Sequence, residues 1–188
     1  MDEVKTEIRI SVRALVEFIL REGDLDNRRT GKADLQAMQA GGRLHRKIQR
    51  RMGAGYAAEV PLKITVPMKG FDCVVEGRAD GIFAEDGTEW IDEIKGVYRD
   101  LNLIEQPVGV HLAQALCYAY IYGVQHDLEQ MGVQMTYGTL ETEELKYFRE
   151  TRSRNELEEW FTVLMKEYEK CARFQYEWKA IRKESTRP

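Results

Sequence analysis

Between Glu59 and Lys95 the apolar residues recur at every second position, and this pattern restricts the fold more than any other feature of the chain. The three runs, separated by short polar turns, cover 60–66, 71–84 and 88–95. A period of two is typical of half-buried strands. The Asp86-Gly87 pair between the last two runs favours a two-residue hairpin turn. The sequence therefore predicts an antiparallel meander of three strands.

Helical periodicity flanks the meander on both sides. The remaining elements are two helices before it and a helix, one further strand and a long helix after it, at about 11–21, 35–52, 107–123, 133–140 and 153–181. The polar, turn-rich stretch at 24–34 is predicted to be a loop. Ser153 and Glu156 form a capping-box pattern, which indicates the start of the last helix.

These elements predict one α/β (mixed α+β) domain over 1–188. It would consist of a helical N-terminal segment (1–55), a core (56–140) and a long C-terminal helix (153–183). A chain of 188 residues can bury roughly 70% of its unfolded surface, which is enough for a core without disulfides or structural zinc. Three cysteines without a C-x-x-C pair fit neither a disulfide framework nor a metal knot, so each is predicted to be a small buried hydrophobe.

Charge is distributed unevenly along the chain. The formal net charge of −4 argues against a generic polyanion binder. Nevertheless, the run from Arg43 to Arg51 holds five basic and no acidic residues, and it is either a solvated helix face or a strip that contacts phosphates. No apolar stretch approaches the length of about 18 residues that a membrane helix needs. The charged N-terminus lacks a signal core, so we expect a cytoplasmic protein without a membrane contact.

The predicted hairpin turn also fixes which side chains face each other. If Glu85 pairs with Thr88, paired residue numbers sum to 173, and Asp80 lies opposite Glu93 with Lys95 on the same face. Opposed Cβ atoms in such pairs are about 5 Å apart, so the two carboxylates repel unless a cation lies between them. A divalent metal such as Mg²⁺ meets that need. The alternative is a surface hairpin on which Lys95 screens Glu93.

Four motifs occur in a fixed order around this hairpin. Residues 77–82 carry the pattern G-x-x-D-x-I, and 92–95 carry (D/E)-x-K. Upstream, 42–45 carry G-x-x-H, and downstream Gln114 and Tyr118 carry Q-x-x-x-Y. Together they resemble the RecB-like branch of the PD-(D/E)xK nuclease superfamily.

The resemblance implies a restriction-endonuclease-like core and a metal-dependent DNase, an exonuclease of the DNA repair and recombination type. It implies that Mg²⁺ or Mn²⁺ is bound by the carboxylates of Asp80 and Glu93, the carbonyl of Ile94 and the imidazole of His45. Lys95 would be the catalytic lysine, and Gln114 and Tyr118 would orient it and contact the DNA. The alternative is a non-catalytic nucleic-acid-binding or interaction module on the same scaffold.

Further side chains acquire candidate roles from this context. Four arginines are the candidate DNA contacts: Arg43, Arg46, Arg50 and Arg78. The other interpretation of Arg78 is a salt bridge to a carboxylate such as Glu76 or Glu93. Glu59 is a candidate accessory carboxylate for a second metal. The surrounding positive charge is expected to favour the neutral imidazole of His45 that metal binding requires.

The segments ISVRALVEFILREGDLD and LHRKIQRR resemble the nuclease module that precedes DinG-like helicases in some Firmicutes. The chain has no G-x-x-x-x-G-K-[ST] phosphate loop. A helicase would therefore be a partner or a fused domain, and the sequence leaves the oligomeric state open.

Overall fold

A mixed β-sheet organises the computed structural model, which describes residues 6–20 and 32–185. In these ranges the elements are β1 (Thr6–Ser11), α1 (Val12–Ile19), α2 (Lys32–Arg51), β2 (Tyr56–Met68), β3 (Phe71–Glu85), β4 (Thr88–Val97), a 3-10 turn (Leu101–Leu103), α3 (Gly109–Gln125), β5 (Gln130–Thr139), β6 (Leu145–Ser153) and α4 (Arg154–Ser185). The mixed α/β class predicted from the sequence is confirmed. The loop expected at 24–34 lies outside the described residues up to position 31, and its last three residues belong to α2.

The strands run in the order β1-β3-β4-β5-β6, and β2 pairs with the other edge of β3. Strands β2, β3 and β4 form the predicted antiparallel meander, and β5 pairs antiparallel with β6. The pairings of β1 with β3 and of β4 with β5 are parallel.

The sequence missed two strands. It predicted a helix from Ser11 and a single strand after the meander, whereas β1 precedes α1 and β6 follows β5. Both missed strands lie at the ends of the sheet and alternate exposed with half-buried residues for most of their length. Edge strands of this kind carry many charged residues, so their apolar alternation is weak.

The hairpin between β3 and β4 forms as predicted. Asp86 and Gly87 have φ angles of 50° and 77°, the positive values that a type I′ turn requires. Pairing runs from Glu85 with Thr88 to Gly81 with Asp92 and keeps the sum of 173 throughout. The ladder thus ends one pair short of Asp80 and Glu93.

Strands β1 and β4 pair with the same edge of β3 but leave a gap between them. Strand β1 covers positions 71–76 of that edge, and β4 covers positions 81–85. Positions 77–80 therefore have no strand neighbour there among the described residues. This fork in the sheet contains the first carboxylate of the predicted site.

Helices cover the two faces of the sheet unequally. The main core joins α1, α3 and α4 to one face, while α2 packs on the other through a small cluster of Leu44, Ile48 and Ile94. Cys73 and Cys117 are buried as predicted, but Cys171 is exposed on α4, so the prediction of a buried thiol is wrong there. The described helices include none that is both long and apolar enough to cross a membrane.

Candidate active site

Asp80 lies at the fork and pairs with neither β2 nor β4 in the backbone ladders. The pairing of β2 with β3 omits Glu59 and Asp80, and Glu59 has a φ of 56°, which is rare for a residue with a side chain. The freed Asp80 carboxylate accepts a hydrogen bond from the Ile94 backbone N–H at 2.8 Å through Oδ2. Its Oδ1 lies 3.4 Å from Nδ1 of His45. The interrupted pairing therefore brings Asp80 into contact with β4 and with α2.

Gln49 supports this geometry, and sequence reasoning missed it. Its Nε2 donates to the Asp80 backbone carbonyl at 2.9 Å and to Oε1 of Glu59 at 3.1 Å. Because Gln49 follows His45 by four residues, both lie on one face of α2. That spacing is the signal in the sequence that could have identified it.

His45, Asp80 and Glu59 form a group suited to a cation. One ligand atom from each lies within 4.8 Å of the others. Glu59, expected only as an accessory ligand, completes this group instead of Glu93. Burial lowers the pKa of His45, but the hydrogen bond and the negative charge of Asp80 outweigh burial, so the net pKa is raised. The expectation that positive neighbours favour the neutral imidazole is therefore wrong, because the nearest charge is a carboxylate.

Glu93 is a buried carboxylate with one oxygen unpaired. It is 3% exposed, and its Oε1 accepts from Nζ of Lys95 at 2.7 Å. Its Oε2 is buried without a hydrogen-bond partner in the described part of the chain. Burial raises the pKa of Glu93 to about 7, repulsion from Asp80 adds to the rise, and Lys95 opposes it.

Lys95 is held between two acceptors. Its Nζ donates to Glu93 and, at 3.0 Å, to Oε1 of Gln114 on α3. An ammonium group carries three hydrogens. Two are therefore used within the described residues, and one is available to a water or a phosphate oxygen. The predicted contact between Gln114 and Lys95 is present.

Tyr118 contacts β3 at the fork. Its hydroxyl lies at the unpaired edge of β3, where a Cβ on Gly77 would come within 2.6 Å of it. Burial raises the pKa of Tyr118, and a hydrogen bond from the Arg78 backbone partly offsets the rise. Tyr118 thus fills the gap between β1 and β4, and the described contacts do not join it to Lys95. Gly77 is required because the ring leaves no room for a side chain.

The donor set fits a hard divalent cation. Carboxylate oxygens are the ligands that Mg²⁺ and Mn²⁺ prefer, and imidazole suits several divalent metals. The buried Oε2 of Glu93, which has no hydrogen-bond partner among the described residues, tests whether a cation fits this site. Burying a carboxylate oxygen without a partner costs free energy unless a cation or a proton binds it. A ligand role for the Ile94 carbonyl stays a prediction.

A solved structure shares this architecture. Crystal structures that resemble the chain include that of SSO0001, with a TM-score of 0.53 and 21% identity over 79% of this chain and 69% of that one. The chain has the same fold as that protein. An alkaline exonuclease (LHK-Exo) from Laribacter hongkongensis gives a TM-score of 0.42 at 16% identity, over 90% of this chain and 94% of that one. LHK-Exo in complex with dAMP gives 0.48 at 15%, over 93% and 94%. No protein-family model and no curated protein matches the chain.

The predicted DNA-contacting arginines occupy two places. Arg43, Arg46 and Arg50 line a groove along α2. Arg78 is 65% exposed and lies 3.7 Å from Glu59, so it has the carboxylate contact of the alternative interpretation, with Glu59 as the partner in place of Glu76 or Glu93.

Asp92 is a second buried carboxylate that sequence reasoning did not single out. It accepts hydrogen bonds from the Tyr56 hydroxyl at 2.8 Å, from Oγ1 of Thr136 at 2.5 Å and from Nε2 of Gln134 at 3.1 Å. Burial raises the pKa of Asp92, and these three bonds counteract the rise. The network ties β2, β4 and β5 together next to Glu93. Tyr56 and the two β5 residues lie 36 to 44 positions from Asp92 in sequence, so no local pattern predicts the network.

Proposed function

We propose that this chain is a metal-dependent DNase of the RecB-like branch of the PD-(D/E)xK superfamily that hydrolyses phosphodiester bonds. Glu93 carries the proposal. It is buried, its Oε2 has no hydrogen-bond partner in the part of the chain that the structure describes, it bonds Lys95, and it is repelled by Asp80. This arrangement is unfavourable in an empty structural site, and a divalent cation would stabilise it.

Each motif residue has a role in the proposal. Asp80, Glu93, His45 and the Ile94 carbonyl would bind Mg²⁺ or Mn²⁺, with Glu59 as the further carboxylate beside His45. A bound divalent ion supplies charge neutralisation at the phosphate and lowers the pKa of a bound water.

The remaining residues act on the substrate and the attacking water. Lys95 would use its available hydrogen to orient that water or to stabilise the charge that develops on the phosphate. Gln114 holds the ammonium group in place from α3. Tyr118 would position the strand that carries Asp80, and its roles in orienting Lys95 and contacting the DNA stay predictions from the motif. Arg78, exposed beside Glu59, would contact a phosphate of the bound strand.

Exonucleolytic action in DNA repair and a helicase partner or fused helicase domain belong to the same proposal and rest on the resemblance of the motifs. A cytoplasmic location is proposed from the amino-acid sequence alone, and the oligomeric state stays open.

The second candidate is a nucleic-acid-binding module without catalysis. The groove along α2 favours it, because five basic side chains line that groove and none of them belongs to the His45 group. This candidate requires binding without turnover.

The test compares wild type with Asp80→Asn on end-labelled oligonucleotides, with Mn²⁺, with Mg²⁺ and with EDTA. We expect wild type to cleave only with metal and Asp80→Asn not to cleave, and we expect a metal-dependent rise in melting temperature that Asp80→Asn loses. Glu159→Gln, which changes an exposed carboxylate on α4, is the matched control. Undiminished cleavage by a folded Asp80→Asn protein would refute the mechanism, and absence of turnover with intact binding would favour the second candidate.

A further inference from the structure

A basic groove of about 560 Å³ lies between α2 and the turn that joins β5 to β6. Five of its lining residues are basic: Arg43, Arg46, Lys47, Arg50 and Arg51. Among the described lining residues the single acidic one is Glu143, from the turn. This concentration of positive charge occurs in a chain whose formal net charge is −4.

The groove faces away from the candidate metal site. A helix turns about 100° per residue, so Lys47, Arg43 and Arg50 lie about 140–200° around α2 from His45. His45 and Gln49 both contact Asp80 from the other side of the helix. A phosphate in the groove is therefore separate from the phosphate at the metal.

Most of these basic side chains have no ion-pair partner within the described ranges 6–20 and 32–185. Arg43, Arg46 and Arg50 have no ion-pair partner among the residues that the structure describes. Lys47 contacts the Glu143 carboxylate, and this hydrogen bond lowers the pKa of Glu143 and keeps it ionised. Glu143 has a φ of 59°, so the backbone of the turn is in the left-handed region where it presents the carboxylate.

We propose that this groove binds the phosphates of a nucleic-acid strand outside the active site, and that Glu143 occupies the phosphate position on Lys47 when no strand is bound. The choice of nucleic acid rests on the proposed function. Arg43 and Arg50 are about 10 Å apart along the helix axis, at about 1.5 Å per residue. That distance is about the rise of three nucleotides, at about 3.4 Å each.

The groove would recognise the backbone without reading the sequence, because its described lining residues include no aromatic ring on which a base could stack. Binding should therefore be strongly salt-dependent and tolerant of base composition. The exposed Lys47–Glu143 pair contributes little by itself, so its removal should strengthen binding only modestly.

The test measures oligonucleotide binding by fluorescence anisotropy in EDTA with Asp80→Asn protein, so that neither metal nor cleavage enters. Adding Arg43→Gln and Arg50→Gln should weaken binding of a single-stranded 20-mer at least about tenfold. It should also reduce the slope of log K against log salt by about 1.4, at about 0.7 for each phosphate that is no longer neutralised. Glu143→Gln should instead tighten binding about twofold to fivefold.

Lys63→Gln with Lys166→Gln, two exposed lysines elsewhere on the surface, is the charge-matched control. Thermal melts establish that each variant is folded. Equal binding by the groove variant and this control, or weaker binding by Glu143→Gln, would overturn the proposal. Loss of binding in the groove variant, with no cleavage by wild type in the separate metal assay, would refute the nuclease and leave the groove assignment intact.

Discussion

Replacing Glu93 by glutamine removes a buried negative charge while keeping the size of the side chain. In the wild-type chain burial and the charge of Asp80 raise the pKa of Glu93 from 4.5 to about 7. The folded chain therefore binds more protons than the unfolded chain between these values. Stability from this group is greatest below pH 4.5 and is lost as the pH rises through about 7.

The size of the effect follows from the two pKa values. Linkage predicts that the free energy of unfolding of metal-free wild type falls by about 2 kcal/mol between pH 5.5 and pH 8.5 on account of Glu93. Glu93→Gln has no proton to lose there, so it should lack this part of the pH dependence. The charge of Glu93 also raises the pKa of His45, so the difference between the two proteins reports Glu93 together with its coupling to His45.

The measurement is urea unfolding in EDTA at the two pH values, for wild type and Glu93→Gln. Mn²⁺ at about 100 times its dissociation constant should then restore about 2.7 kcal/mol to wild type at pH 8.5. Because ligands bind metal in their deprotonated form, this gain should shrink at pH 5.5. The same pH dependence in both metal-free proteins would refute the reasoning, because Glu93 would then be ionised without a cation at little cost.

Two further substitutions test how the fork is held. Gly77→Ala places a Cβ within 2.6 Å of the Tyr118 hydroxyl. The free energy of unfolding should therefore fall by about 1–3 kcal/mol in urea unfolding experiments. A variant as stable as wild type would contradict the close contact. Gln49→Ala removes the donor to the Asp80 carbonyl and should weaken Mn²⁺ binding about tenfold in calorimetric titrations. Gln39→Ala, at an exposed position of the same helix, should leave the Mn²⁺ affinity unchanged. Equal affinities of the two variants would show that Gln49 has no positioning role.

The hairpin could be predicted from sequence because its determinants are local. The Asp86-Gly87 turn fixes the register of β3 against β4, and five consecutive pairs keep it. The contact of Lys95 on β4 with Gln114 on α3 was predicted from motifs on these two elements. In these cases a short segment and its immediate neighbour decide the geometry.

Other features could not be predicted because they depend on contacts between distant segments. Strands β1 and β6 form by pairing with strands that already have another neighbour, and their own residues show little apolar alternation. The raised pKa of His45 comes from Asp80, which lies 35 positions away in sequence and becomes its neighbour only at the fork. The positive φ of Glu59 has no signal in the residue type, since glycine and asparagine are the residues that usually adopt it.

The unpaired edge of β3 connects the fold to the proposed chemistry. A buried backbone group without a partner is costly, so each group freed by the fork must be satisfied by a side chain. Asp80 accepts the Ile94 N–H, Gln49 donates to the Asp80 carbonyl, and the Tyr118 hydroxyl accepts from the Arg78 backbone. The side chains of the proposed metal site therefore also stabilise the gap between β1 and β4.

Alanine at position 80 would remove the acceptor of the Ile94 N–H together with a metal ligand, so a loss of activity could not be distinguished from a loss of stability. Asparagine keeps an acceptor oxygen for the Ile94 N–H and removes only the charge, so it separates the two roles.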